Sequence, residues 1–293
     1  MTEILAGRLS HAPEAAPGIR GWRRILSNVG IIIALGILAL ILTAALAPQL
    51  ITSAQPDAVS PAEAFQTPSG THFFGTDESG RDVYTRVVFG AGNSLLIGIA
   101  ATVVGLGLAL VLGLLGGLGS RLGDFVSTRI VEVMFALPGL LLALVFIAIT
   151  GPGVVTSTVA VGLSTAPGYA RIIRSQLRSV RNAGYVEAAT VLGHSRLRIT
   201  LQHILPGALA PIFVLGTLGV GQAIVWASSL GFLGLGVAPP AAEWGAMLSS
   251  GRTYIDVAWW LTVFPGLAIV ATAGSFTVLG RALNARARQE VGG

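Results

Sequence analysis

Residues 87–120 read VVFGAGNSLLIGIAATVVGLGLALVLGLLGGLGS and carry no charged side chain. A helix rising about 1.5 Å per residue needs roughly 20 apolar residues to cross a bilayer, so this stretch is a membrane span with length to spare. Four more uncharged stretches frame it: Val29–Ile51, Val133–Ala170, Ile204–Ala242 and Val257–Gly280. The third is too long for one crossing, and Gly151-Pro152-Gly153 near its middle predicts a reversal, because proline lacks an N–H and glycine bends freely. In the fourth, Pro206 to about Ser228 reads as a clean span. Ser229–Trp244 is rich in glycine and proline and is expected to be irregular or re-entrant, which membrane depth tolerates only under protein cover or beside a water-filled cavity. Phe232, Leu233, Leu235 and Trp244 are therefore candidates for a pathway or gating segment, with the Trp244 ring expected at the outer interface. The fold class expected is all-α, a polytopic membrane protein of about six transmembrane helices.

Composition agrees, since the 293 residues are 53% hydrophobic and only 11% charged, with a mean hydropathy of +0.78. A water-soluble domain carries charge at about a quarter of its positions. No lysine occurs, so the net charge of +5 is arginine's. Such an excess belongs to cytoplasmic loops of a membrane protein and not to nucleic-acid binding. The absence of cysteine excludes disulfides, thiolate metal sites and cysteine nucleophiles. Without lysine there can be no phosphate-binding G-x-x-x-x-G-K-[ST] loop, so any ATP hydrolysis falls to another polypeptide. Residues 1–28 are polar, and Val29–Ile51 reads as a retained signal anchor.

Arginine placement gives the orientation. With the N-terminus inside, fifteen arginines (Arg8, Arg20, Arg23, Arg24, Arg121, Arg129, the six from Arg171 to Arg198, Arg281, Arg286 and Arg288) face the cytoplasm, and only Arg81, Arg86 and Arg252 lie outside. The positive-inside bias places both termini in the cytoplasm. Two soluble stretches remain, Thr52–Arg86 outside and Arg171–His203 inside, each long enough to suggest a function of its own.

From Tyr185 the inner stretch reads YVEAATVLGHSRLRITLQHILP to Pro206. Val186–Leu192 predicts a short helix, Gly193 a left-handed cap, and Leu197, Leu201 and Ile204 one face of a second helix, together a compact knob. Glu187-Ala188-Ala189, Gly193 and His203-Ile204-Leu205-Pro206 resemble, spacing included, the EAA loop of ABC importer permeases. The resemblance implies a type I importer permease fold in which this loop, residues 171–205, docks on a separate ATP-binding subunit. It makes Glu187 and Gly193 the coupling residues, with Ala188 and Ala189 allowing close approach. His194 and His203 have no third ligand at metal spacing.

A second resemblance precedes the long span. His72-Phe73-Phe74-Gly75-Thr76-Asp77-Glu78-Ser79-Gly80-Arg81-Asp82-Val83 is similar to the external segment of the dipeptide, oligopeptide and nickel branch, most like its C-type peptide permease, and Ser228–Val237 with Trp244-Gly245-Met247-Leu248 is similar to the same branch. Gly75 and Gly80 suit turns, and Asp77, Arg81 and Asp82 can pair with one another. Domain boundaries follow: a cytoplasmic tail 1–28, a first span 29–51, an external segment 52–91, a permease core 92–283 with five spans and the inner loop, and a tail 284–293. The resemblance also implies partners: a second homologous permease forming a heterodimer, one or two ATPase subunits carrying ATP and Mg, an external substrate-binding protein, and the lipid of the bacterial inner membrane. No cofactor is expected on this chain.

Gly105, Ala109, Gly113 and Gly117 recur every fourth residue, a small-residue stripe that lets two helices approach closely. Asp124, Arg129 and Glu132 sit at the inner edge, where Arg129 can pair with either carboxylate. An ion-coupled secondary transporter would place ionisable groups within its spans, and an intramembrane enzyme a nucleophile beside a base; these spans supply neither. Nickel import is the rival within the branch, with His72 and Met247 the only soft ligands on the outer side.

Overall fold

The computed structural model describes residues 17–238 and 240–291. Ten helices follow in order: α1 Pro17–Leu46, α2 Val83–Leu118, α3 Arg121–Phe135, α4 Gly139–Thr150, α5 Val154–Arg181, α6 Gly184–Val191, α7 Arg196–Ile199, α8 Leu205–Phe232, α9 Trp244–Gly251 and α10 Trp260–Val291. Among the described residues the only β pairing is one isolated bridge, Thr76 to Asp82. By length and composition four helices can cross a membrane, within Val29–Leu46, Val83–Leu118, Ile212–Phe232 and Trp260–Arg286; α3 and α4, bent by 90° at the Ala136–Pro138 break, form a fifth candidate.

The small-residue stripe explains how α2 meets α5. A Cβ on Gly105 would lie 2.6 Å from Thr165, one on Gly113 2.6 Å from Ile173, and one on Gly117 2.7 Å from Leu177. Positions ascend together on both helices, so α2 and α5 run parallel. The chain must therefore return across the layer between them, and α3 with α4 makes that return. The 28 residues of α5 reach about 42 Å. Its composition alone does not mark it as a span, because its buried face is built of Ser157, Ala160, Gly162, Ser164 and Ala166 packed on protein instead of lipid. On α8, Gly219 meets Tyr169 and Thr102, while Gly207 meets Val180 and Gly216 meets Leu106, which sets α8 antiparallel to both α2 and α5. Gly221 against Ala273 and Gly280 against Leu218 set α10 antiparallel to α8. Gly30 and Val278 line one groove, so the start of α1 and the end of α10 share one end of the bundle.

Several expected boundaries move. The first span ends at Leu46, where Pro48 and a single 3-10 turn stop it before Ile51. Of the N-terminal tail, residues 1–16 lie outside the described residues and 17–28 are already helical; of the C-terminal tail, α10 continues to Val291. The inner loop does not begin at Arg171, since α5 runs on to Arg181 and presents its last turns as a stalk. The reversal at 151–153 is present, with Gly151 at φ +88° closing α4. After Phe232 the described residues up to Glu243 are irregular, as the glycines predicted: Gly234 takes φ +79°, and Gly231 lies so close to Gly245 that a Cβ would come within 3.0 Å.

Candidate functional site

At one end of the bundle α6 and α7 form the knob. Leu192 ends α6, and the next two residues close it: the Gly193 N–H donates to the Thr190 carbonyl at 3.0 Å and the His194 N–H to the Ala189 carbonyl at 3.2 Å, with Gly193 at φ +78°. This paired return needs a left-handed residue, which glycine adopts without a Cβ penalty. Ser195 then caps α7, its hydroxyl accepting from the Arg198 N–H. Val186, Ala189, Ile199 and Ile204 are buried against Leu177 and Val180 of the stalk.

The second helix does not present the expected face. Leu197 and Leu201 are exposed while Ile199 and Ile204 are buried. A π turn over Thr200–Ile204 widens the helix, so residues five apart share a side. Pro206, which cannot donate to the Gln202 carbonyl and crowds it, is the local reason for the wider turn. Glu187 and Ala188 are exposed, but Ala189 faces inward, so only Ala188 of that pair is available for close approach by another chain. Around them Tyr185, Val191, Leu192, Leu197 and Leu201 form an exposed apolar patch, with Val191 84% and Leu192 75% exposed. His203 is half-buried, 6.2 Å from the His194 ring, and Pro206 is exposed.

Below the knob Arg129 pairs with Glu132 at 2.7 Å, one of the two carboxylates expected for it, while Asp124 is taken by Arg174 and by Arg178, the latter at 3.2 Å, tying α3 to the stalk. Sequence spacing of fifty residues gave no sign of this contact.

At the opposite end residues 52–82 fold into a clasp. Gly75 and Gly80 both take φ +74°, the turns expected of them. Asp77 accepts from Arg81 Nε at 2.6 Å and from the Ser79 and Arg81 backbone N–H groups. Asp82 does not join this pair: its side chain caps α2 by accepting from the Thr85 N–H at 2.8 Å and lies 2.9 Å from His72 Nδ1. The reason is position, because Asp82 immediately precedes a helix whose first N–H groups need an acceptor. Thr76 is fully buried, its carbonyl accepting from Trp260 Nε1 at 3.0 Å. Arg86 joins the clasp to the segment after α8, donating to the Pro56 carbonyl at 3.2 Å and to the Pro240 carbonyl at 2.9 Å.

Two of the four candidate pathway residues, Phe232 and Leu233, line an open groove of about 420 Å³ between α4, α8 and α10. Leu235 does not; it packs beside Ala160 and Val161, and its carbonyl accepts from Ser157 at 2.7 Å. The Trp244 ring is packed inside the protein, 1% exposed, with Nε1 donating to the Val87 carbonyl at 2.9 Å. Its burial follows from Glu243, a carboxylate unnoticed in the sequence. Glu243 caps α9 through the Gly245 and Ala246 N–H groups, both at 2.8 Å, and accepts from Ser94 at 3.0 Å. An acidic residue directly before a short helix is the signal that marks it.

The family model described as "Binding-protein-dependent transport system inner membrane component" matches residues 87–289. The chain belongs to this family. The permease is 42% identical over 258 residues, 88% of its length and 84% of the relative's, to the dipeptide transport system permease protein DppC of Alkalihalophilus pseudofirmus. It is 38% identical to the probable D,D-dipeptide transport system permease protein DdpC of Escherichia coli, covering 77% of this chain and 76% of that one. Among solved structures it resembles an amino acid ABC transporter, with 16% identity, a TM-score of 0.56, and 69% of this chain against 94% of that one covered; this likeness speaks to the fold alone. The permease is thus a multi-pass protein of the bacterial inner membrane and a membrane subunit of an ABC importer with a type I fold.

Proposed function

We propose that this permease passes short peptides by alternating access, driven by ATP hydrolysed with Mg on separate subunits that dock on the α6–α7 knob. The observation that carries the reading is the match over most of the chain to relatives named as dipeptide permeases. The apolar patch around Glu187 is the kind of surface that another protein covers, since exposed apolar residues clustered on a projecting element mark interaction sites. Glu187 and Gly193 carry the coupling in this reading, with Ala188 admitting the partner's backbone. A second homologous permease faces the Phe232–Leu233 groove, forming a heterodimer, and a substrate-binding protein delivers peptide at the clasp end. The groove walls carry no charged side chain, which suits substrates differing in side-chain charge.

The test co-expresses the chain with its candidate second permease and ATPase subunits and measures peptide uptake into proteoliposomes. Wild type is expected to need ATP, and Glu187→Lys, a reversal at an exposed position, to lose ATPase association or coupling. Uptake that persists without the ATPase and follows an ion gradient would overturn the assignment. Nickel uptake in place of peptide would keep the machinery and replace the cargo.

A further inference from the structure

A second groove, of about 440 Å³, lies between α1, α2 and α10 on the side of the bundle away from the Phe232 groove, and its walls are almost wholly apolar. Its floor is Ala91 and Trp244, and its rim is Leu40 on α1 and Leu267 on α10, exposed at 60% and 57%. The surface between those two leucines belongs to spans whose surroundings are hydrocarbon, so the groove opens toward lipid and not toward water. Phe74 and Tyr84 close it at the clasp end, where Phe74 stacks on Phe264 at 3.9 Å. Its inner limit is set by Ile37, Ala91 and Ala271. These lie nine, eight and eleven residues from the clasp ends of their helices, about 12 to 17 Å at 1.5 Å per residue. Counted from helix ends that on α2 still include the clasp residues through Arg86, that reach stays within one leaflet of a hydrocarbon core about 30 Å thick.

We propose that this groove is a binding site for one acyl chain of a phospholipid in the clasp-side leaflet, held between α1 and the body of the permease. Hydrophobic transfer does not drive the binding, because the chain leaves hydrocarbon to enter it; complementary packing does, since a gap forfeits dispersion contacts along every wall. Trp244 and Ala91 belong to the core that ties α9 to α2, so a chain seated here also packs against the clasp's anchorage. The proposal stands independently of the transported substrate.

Full-length protein reconstituted in nanodiscs of phosphatidylethanolamine and phosphatidylglycerol is labelled with a phospholipid bearing a diazirine in its acyl chain, and the cross-linked peptides are mapped. Native mass spectrometry after transfer to detergent reads retained lipid. Wild type is expected to cross-link at Leu40 and Leu267 well above Leu96 and Val103, exposed residues on another face of α2, and to keep a single phospholipid. Ala268→Phe and Ala271→Phe, which fill the groove from half-buried positions, should lose that lipid with unchanged or raised thermal stability. Equal labelling at all four positions, or wild type stripped bare in detergent, overturns the proposal without recourse to any variant. Labelling that vanishes when the second permease is co-expressed also overturns it, because the occupant is then a protein helix.

Discussion

Asp77 holds two guanidiniums that have almost no water to turn to, Arg81 at 2.6 Å and Arg86 at 3.7 Å, with all three side chains about nine-tenths buried. Removing one partner of a buried ion pair leaves uncompensated charge and costs on the order of 3 kcal/mol. Asp77→Ala should therefore lower the thermal unfolding midpoint in detergent sharply, whereas Asp57→Ala, which removes a largely exposed carboxylate 3.4 Å from Arg86, should change the stability by less than about 1 kcal/mol and barely move the midpoint. Equal effects would show that the clasp is not held by its buried charges. Gly193 is a different case, in which the backbone sets the requirement. A side chain at φ +78° costs roughly 1–2 kcal/mol, so Gly193→Ala should speed hydrogen exchange across the last turn of α6 and reduce ATP-driven uptake while leaving α8 protected. The turn glycines Gly75, Gly80 and Gly193 were legible in the sequence because their demand is local. The partners of Asp124 and Arg86 were not, since each is chosen by chain arriving from elsewhere, for Arg86 as far off as Pro240, whereas the cap that Asp82 makes on Thr85 is local and was overlooked.

At the scale of elements, the α2 stripe was legible as close packing because its period is that of the helix itself. It yields a paired prediction: Gly113→Ala puts a methyl 2.6 Å from Ile173 and should cost about 1–3 kcal/mol, while Gly107→Ala, which meets nothing within 4 Å, should be neutral or slightly stabilising through helix propensity. Chemical or thermal unfolding in detergent measures both, and a destabilised Gly107→Ala would point to an unseen contact on that face. The limits of α5 were not legible. Hydropathy stops at Ala170, where Arg171 begins a run of charge, yet the helix continues to Arg181 because Ile173 and Leu177 remain buried on α2. The second half of the knob was misread for a reason of geometry: an ordinary helical period pairs Leu197 with Leu201, and only the wider turn before Pro206 pairs Ile199 with Ile204. Glu187 and Gly193 survive that correction because both precede the turn.

For the whole molecule, direction is the property that ties the elements into one topology. The α2 and α5 helices run parallel while α8 opposes both, α10 opposes α8, and α1 begins where α10 ends. Parallel neighbours separated by a bent pair require that pair to cross, which is how about six crossings arise from a chain with four unambiguously apolar helices. The geometry then leaves one binary choice, the side on which the knob lies, and the positive-inside bias gives the expectation to test: the knob end collects the arginines of the stalk and of α10, and the clasp end holds three. Because the sequence has no cysteine, any introduced cysteine is the only one in the chain. Ser53→Cys in the clasp and Asn182→Cys at the end of the stalk occupy exposed positions. In intact cells a membrane-impermeant maleimide should label Ser53→Cys at once and Asn182→Cys only after the membrane is opened. Moving Arg174 and Arg178 to the outside would oppose the positive-inside bias, so the reverse pattern would mean that charge is not what orients this bundle. It would also remove the knob from any cytoplasmic ATPase, and the coupling role of Glu187 would fall with it.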